Sequence, residues 1–107
     1  MRTFEEYQAL AVKAPLSLRN NRDRINLPVL GLQEEAGKIG SLLATASPAR
    51  KLHLTAKQSA ELQGRLSDTL WYVALLCGET GIALSNVAAH GIAQLHARTK
   101  NLDPDQR

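Results

Sequence analysis

An all-α fold, an antiparallel four-helix bundle completed by oligomerisation, is what this sequence predicts, on three observations. Ala and Leu dominate while aromatic residues make up only 4% of the chain, a composition that suits packed helices better than sheets. Apolar residues return at spacings of three and four along most of the chain. Thr3 with Glu6, and Thr55 with Gln58, each place a Thr three residues before a Glu or Gln, the capping box that opens a helix.

The first helix is predicted from Thr3 to Lys13, with Phe4, Tyr7, Leu10 and Ala11 as its apolar positions, and it stops before Pro15. Leu18 to Arg24 is polar and breaks the periodicity, so it reads as a loop. Asn26 and Pro28 mark the start of the second helix, because Pro is tolerated in a first turn. Leu27, Leu30, Leu32, Ile39, Leu42 and Leu43 are its expected inward residues, and it fades near Thr45. Ser47-Pro48 opens a connection carrying Arg50, Lys51 and His53. The third helix begins at Thr55 and reaches Gly78 or Thr80, where Gly78-Glu79-Thr80-Gly81 supplies the stop. Leu62, Leu66 and Leu70 form a stripe on its first half, and its second half, Leu70 to Cys77, is apolar nearly all round. Such a helix must be buried on every side, so a second subunit is expected to cover it. Ser85 caps the last helix, with Val87, Ala88, Ile92 and Leu95 inward, and residues 1–2 and 100–107 read as frayed ends.

The 107 residues make one domain, 1–107, of a size where self-association adds much of the burial. The charge of +3 is mild, and no aromatic-flanked basic cluster accompanies it, which argues against a nucleic-acid partner. No apolar run approaches the ~20 residues that span a bilayer, and the N-terminus lacks a signal-peptide core. No membrane partner and a cytoplasmic location are the expectations. Cys77, alone in its apolar run, reads as a small buried hydrophobe.

Chemistry concentrates in Glu34-Glu35-Ala36-Gly37-Lys38 and Arg65-Leu66-Ser67-Asp68. Glu35 with Lys38, and Arg65 with Asp68, stand three apart and so share a helix face. In an antiparallel helix pair, position 35 falls opposite 68 and position 38 opposite 65.

With Phe4-Glu5-Glu6-Tyr7-Gln8, Gly31-Leu32-Gln33-Glu34-Glu35-Ala36-Gly37, Asp68-Thr69-Leu70-Trp71-Tyr72 and Gly81-Ile82-Ala83-Leu84 in this order, the chain resembles the MazG-like all-α nucleoside triphosphate pyrophosphohydrolases over nearly its whole length. The resemblance implies a MazG-like bundle and cleavage of a nucleoside triphosphate to monophosphate and pyrophosphate. It also implies Mg²⁺ held by Glu-Glu-x-x-Glu on one helix and Glu-x-x-Asp on the next, hard oxygen ligands suited to that ion. Carried across, Glu34 would be the catalytic remnant and Glu35 and Asp68 the metal-ligand remnants. Lys38 and Arg65 stand where the other two carboxylates belong. Gly91 and Gln94 stand where an Asn and a Lys of many members contact the phosphates.

Those replacements turn four carboxylates into two acids and two bases. At ~4 Å and an effective dielectric near 20, each unit-charge pair is worth roughly 4 kcal/mol, so Lys38 and Arg65 would repel Mg²⁺ strongly. No cofactor is therefore expected, and the protein reads as a catalytically impaired or inactive relative, with Glu35–Lys38 and Arg65–Asp68 as salt bridges. One alternative has Lys38 and Arg65 facing each other as a phosphate site for a nucleotide or phosphorylated small molecule, without metal. The other is an active, Mg²⁺-dependent enzyme with a displaced site, in which Glu61 reaches toward Glu34 or Glu35. Trp71 and Tyr72 are expected in the core or an interface, and His53, His90, His96 and Cys77 show no zinc spacing. A homo-oligomer, at least a dimer, is the expected assembly.

Overall fold

A computed structural model describes residues 3–13, 21–46 and 53–100. The expected stop at Pro15, the first part of the loop reading (residues 18–20), the connection at 47–52, and the ends at 1–2 and 101–107 lie outside these residues. Four helices follow in order: α1, Phe4–Lys13; α2, Asn21–Ala46; α3, Ala56–Thr80; and α4, Leu84–Lys100. There is no strand among the described residues.

Local chemistry sets most of the helix ends. The Thr3 hydroxyl accepts from the Glu6 amide at 3.1 Å, and the Thr3 amide donates to Glu6 Oε1 at 3.4 Å, so α1 opens on its capping box. The same reciprocal pair forms between Thr55 and Gln58 at the start of α3. The end of α3 is a left-handed Gly81, φ 73°, a conformation that glycine adopts without a Cβ penalty. The amides of Gly81 and Ile82 both donate to the Cys77 carbonyl, tying off a last-turn acceptor.

Two boundaries differ from expectation. The second helix starts at Asn21 and not near Asn26 with Pro28 in its first turn, so residues 21–24 are helical rather than loop, and Pro28 lies in the helix interior. Proline has no N–H to return to the carbonyl four residues back, at Arg24. Its burial offsets that loss, since Pro28 is fully enclosed. The last helix starts at Leu84, with Ser85 inside its first turn. Its cap comes from a distant part of the chain: Gln8 Oε1 accepts from the Leu84 amide at 2.8 Å, and Gln8 Nε2 donates to the Ile82 carbonyl at 3.0 Å.

The helices α2 and α3 pack antiparallel, as two cross-contacts show. Gly31 lies against Tyr72, and Glu35 meets Arg65, so numbers rise along one helix as they fall along the other. The Gly31–Tyr72 contact has the register that sets position 35 opposite 68 and 38 opposite 65. A Cβ on Gly31 would sit 2.5 Å from the Tyr72 ring, so only glycine lets the two backbones approach this closely. The buried face of α2 is thus Pro28, Gly31 and Glu35, with Leu32, Ile39 and Leu42 half-buried beside them. Leu27 and Leu30, expected inward, are exposed, because the face of α2 turned to α3 is that of Pro28, Gly31 and Glu35.

On its other side α3 meets α1. Ala11, Ala74, Cys77 and Leu84 form the buried cluster, with Tyr7, Trp71 and Val73 packed against it. The Trp71 indole donates to the Ala11 carbonyl at 3.2 Å, and its ring lies 5.3 Å from that of Tyr72. Most of the apolar half of α3 is therefore covered within the chain, by α1 on one side and α2 on the other. Cys77 is buried, as expected.

The axis of α4 is deflected by 110° from that of α3, so these neighbours are not antiparallel. It packs on α1, and its inward residues are not those expected: Leu84 is buried, whereas Val87, Ile92 and Leu95 are exposed. The radius of gyration, 17.0 Å, exceeds the ~13 Å of a compact domain of this length. No single helix among the described residues is long and apolar enough to cross a membrane.

Candidate functional site

The charged residues singled out in the sequence lie along the seam of α2 and α3. Glu35 is 4% exposed, the sole charged residue in the buried set of the described chain. Its position follows from the face it shares with Gly31 and Pro28, one and two turns earlier. A buried carboxylate needs a partner, and Arg65 Nη1 supplies it at 3.4 Å from Glu35 Oε1. The other oxygen, Oε2, is buried with no hydrogen-bond partner among the described residues.

The remaining charges sort differently from expectation. Lys38 Nζ pairs with Glu34 Oε1 at 2.8 Å, one helical turn back, and not with Glu35. Arg65 pairs with Glu35 across the seam and not with Asp68 on its own helix. Register explains this: Arg65 starts opposite Lys38, a like charge, and its long side chain reaches back along α2 to the buried acid. Asp68 is exposed, and its charge acts on Tyr7 of α1. Burial first, and then the Asp68 carboxylate, hold the Tyr7 hydroxyl above the ordinary tyrosine value. The electroneutral foursome is therefore Glu34, Glu35, Lys38 and Arg65, with Glu34 in the place expected for Asp68.

Glu34 titrates below the ordinary carboxylate range, through its hydrogen bond to Lys38, then the Lys38 charge, with Arg65 adding a smaller pull. Glu34 and Lys38 also line an open groove of about 690 Å³, together with Gln33, Ser41, Thr45 and Glu61. Glu61 thus faces the same space as Glu34. Gly91 and Gln94, on α4, do not line it.

The donor set does not fit Mg²⁺. Glu35 Oε1 is taken by Arg65, so of that carboxylate Oε2 alone is unpartnered among the described residues; Glu34 is paired with Lys38, and Asp68 is exposed. No group of three His, Cys, Asp or Glu side chains converges as a metal site among the described residues. Nor do Lys38 and Arg65 face each other as free cations, since each has a carboxylate partner. Sequence reasoning missed two residues that shape the region. Gly31 sets the spacing of the seam, and Gln8 sets where α4 begins; both act through contacts distant in sequence, where no local pattern signals them.

No family model matches the chain. It is similar to the "Gene 37 protein" of Mycobacterium phage L5, 30% identical over 69 residues, which is 64% of this chain. The match spans 60% of that relative's length. No solved structure matches.

Proposed function

We propose that the protein is a divergent, cytoplasmic MazG-like protein that does not hydrolyse nucleotides and whose helical bundle is completed by self-association. The observation that carries the first part is the Arg65–Glu35 pair, in which a guanidinium takes one oxygen of the carboxylate that would otherwise be offered to a metal. An acid beside a fixed cation neither coordinates a second cation readily nor activates water beside one, because the fixed charge repels the ion. Pyrophosphate release, measured with Mg²⁺ and with Mn²⁺ across a panel of nucleoside triphosphates, should stay at background. Turnover abolished by Glu61→Ala would instead establish a displaced metal site. Reversion probes the resemblance itself: Lys38→Glu combined with Arg65→Glu should create Mg²⁺ binding at the seam, detectable by calorimetry.

A second reading is favoured by the groove beside the seam. Lys38 lines it, and the Glu34–Lys38 pair is solvent-exposed, a kind of ion pair that a competing anion opens at little cost. A nucleotide or phosphorylated small molecule would bind there without metal. Titration with nucleoside triphosphates in EDTA tests it; heat lost in Lys38→Ala supports this reading, and no heat at millimolar ligand removes it.

A further inference from the structure

Two of the apolar surfaces that the fold leaves uncovered have complementary shapes, a ridge and a groove. The first is one face of α4. Leu84, Val87, Ala88, Gly91, Ile92 and Leu95 fall on a single stripe at helical spacing. Its start is covered, with Leu84 buried, but Ile92 and Leu95 are 55% and 59% exposed. From Leu84 to Leu95 the stripe runs about 16 Å at 1.5 Å per residue. The second feature is an apolar groove of about 720 Å³ lined by Phe4, Tyr7 and Leu10 of α1 and Leu70 of α3, with Glu5 and Ser85 at its margins.

We propose that these surfaces fit each other between two copies of the chain: α4 of one copy seats its Val87–Leu95 stripe in the α1–α3 groove of the other, reciprocally about a two-fold axis. Within one chain the stripe does not fill the groove: of α4 only Ser85 borders it, and the helix is turned 110° from α3 and held at its root by Gln8. Exposed apolar patches of this kind mark interaction surfaces.

Charge selects a second copy as the occupant. Glu5, in the first turn of α1, lines the groove, while Arg98 lies in the last turn of α4, beyond the stripe. A seated α4 whose C-terminal end lies toward Glu5 brings Arg98 to it. Gly91, at the centre of the stripe, has open space where its Cβ would project, which permits close approach of a partner backbone. A reciprocal exchange forms both seats at once and closes the assembly as a dimer. This inference rests on the self-association proposed above and not on the chemistry of the α2–α3 seam.

Sedimentation of the full chain over a dilution series tests it, with circular dichroism as the control for helicity. The expected species has twice the mass of the 11.7 kDa chain. Leu95→Asp, at a solvent-exposed position, should weaken the dimer at least tenfold with helicity unchanged. Glu5→Arg should weaken it less, and adding Arg98→Glu should restore it, because the swapped pair meets only across the seat. A monomeric wild-type chain overturns both the self-association and this seat, leaving the groove to another class of partner. A dimer indifferent to Leu95→Asp overturns the seat alone, and a charge swap that fails to restore association overturns its orientation.

Discussion

Arg65 reaches across from α3 to hold Glu35 of α2 at 3.4 Å, although its own register sets it opposite Lys38. The arrangement matches charge to burial, since the acid that most needs a partner is the enclosed one. The exposed Glu34–Lys38 pair beside it is the dispensable member of the foursome.

Removing Arg65 should therefore cost far more than removing Lys38. Arg65→Leu leaves the Glu35 carboxylate buried and unpaired, and urea unfolding should report a loss of about 3 kcal/mol. Arg65→Leu combined with Glu35→Leu should recover most of it, because an apolar pair of similar size needs no partner. A single-variant loss indistinguishable from that of Lys38→Ala would show that the ion pair is unimportant to the seam.

Gly31→Ala should destabilise despite the better helix propensity of alanine. The gain is up to about 1 kcal/mol, while displacing the Tyr72 ring costs about 1–3 kcal/mol as overpacking. In a Tyr72→Ala background the same change should turn neutral or stabilising. Gly64 is the control: nothing lies within 4 Å of its Cβ position, so Gly64→Ala should raise the unfolding midpoint.

Gln8 is a cap supplied from another helix. Gln8→Ala should lower stability by about 1 kcal/mol, and the Leu84 amide should exchange with solvent faster while amides in the middle of α3 do not. Uniform protection across both would mean that Gln8 does not fix the start of α4.

Alkaline pH should weaken the fold through Tyr7. Its pKa is raised in the folded chain, so above about pH 10 the folded state retains a proton that the unfolded chain has released. Stability then falls as pH rises through that window, with the contribution fully present below it. Tyr7→Phe should flatten this part of the profile in unfolding measurements. An identical slope in the variant would assign it to other groups.

Lys38→Ala gives a complementary reading of the exposed pair. Glu34, held low chiefly by Lys38, should titrate closer to an ordinary glutamate in a carboxyl-resolved NMR titration. A Glu34 that does not move would mean that Arg65 and not Lys38 holds it low.

Which features the sequence alone determined, and which it did not, follows from the range of the forces involved. Helical identity, both capping boxes and the Gly81 stop depend on neighbours within four residues, and these were legible from Thr3, Thr55, Gly81 and the apolar spacing. The charged seam was legible as well, in its residues and its register. The partners were not, because a flexible Arg or Lys chooses among nearby acids by their burial, and burial is a property of the packed pair. Leu27, Leu30, Val87, Ile92 and Leu95 failed as core residues for the same reason. A helix with several apolar positions does not say which of them its neighbour will cover. Packing decided it, through the Tyr72 ring over Gly31 and through Gln8 turning the chain at Leu84, two contacts between residues more than 40 and 70 positions apart.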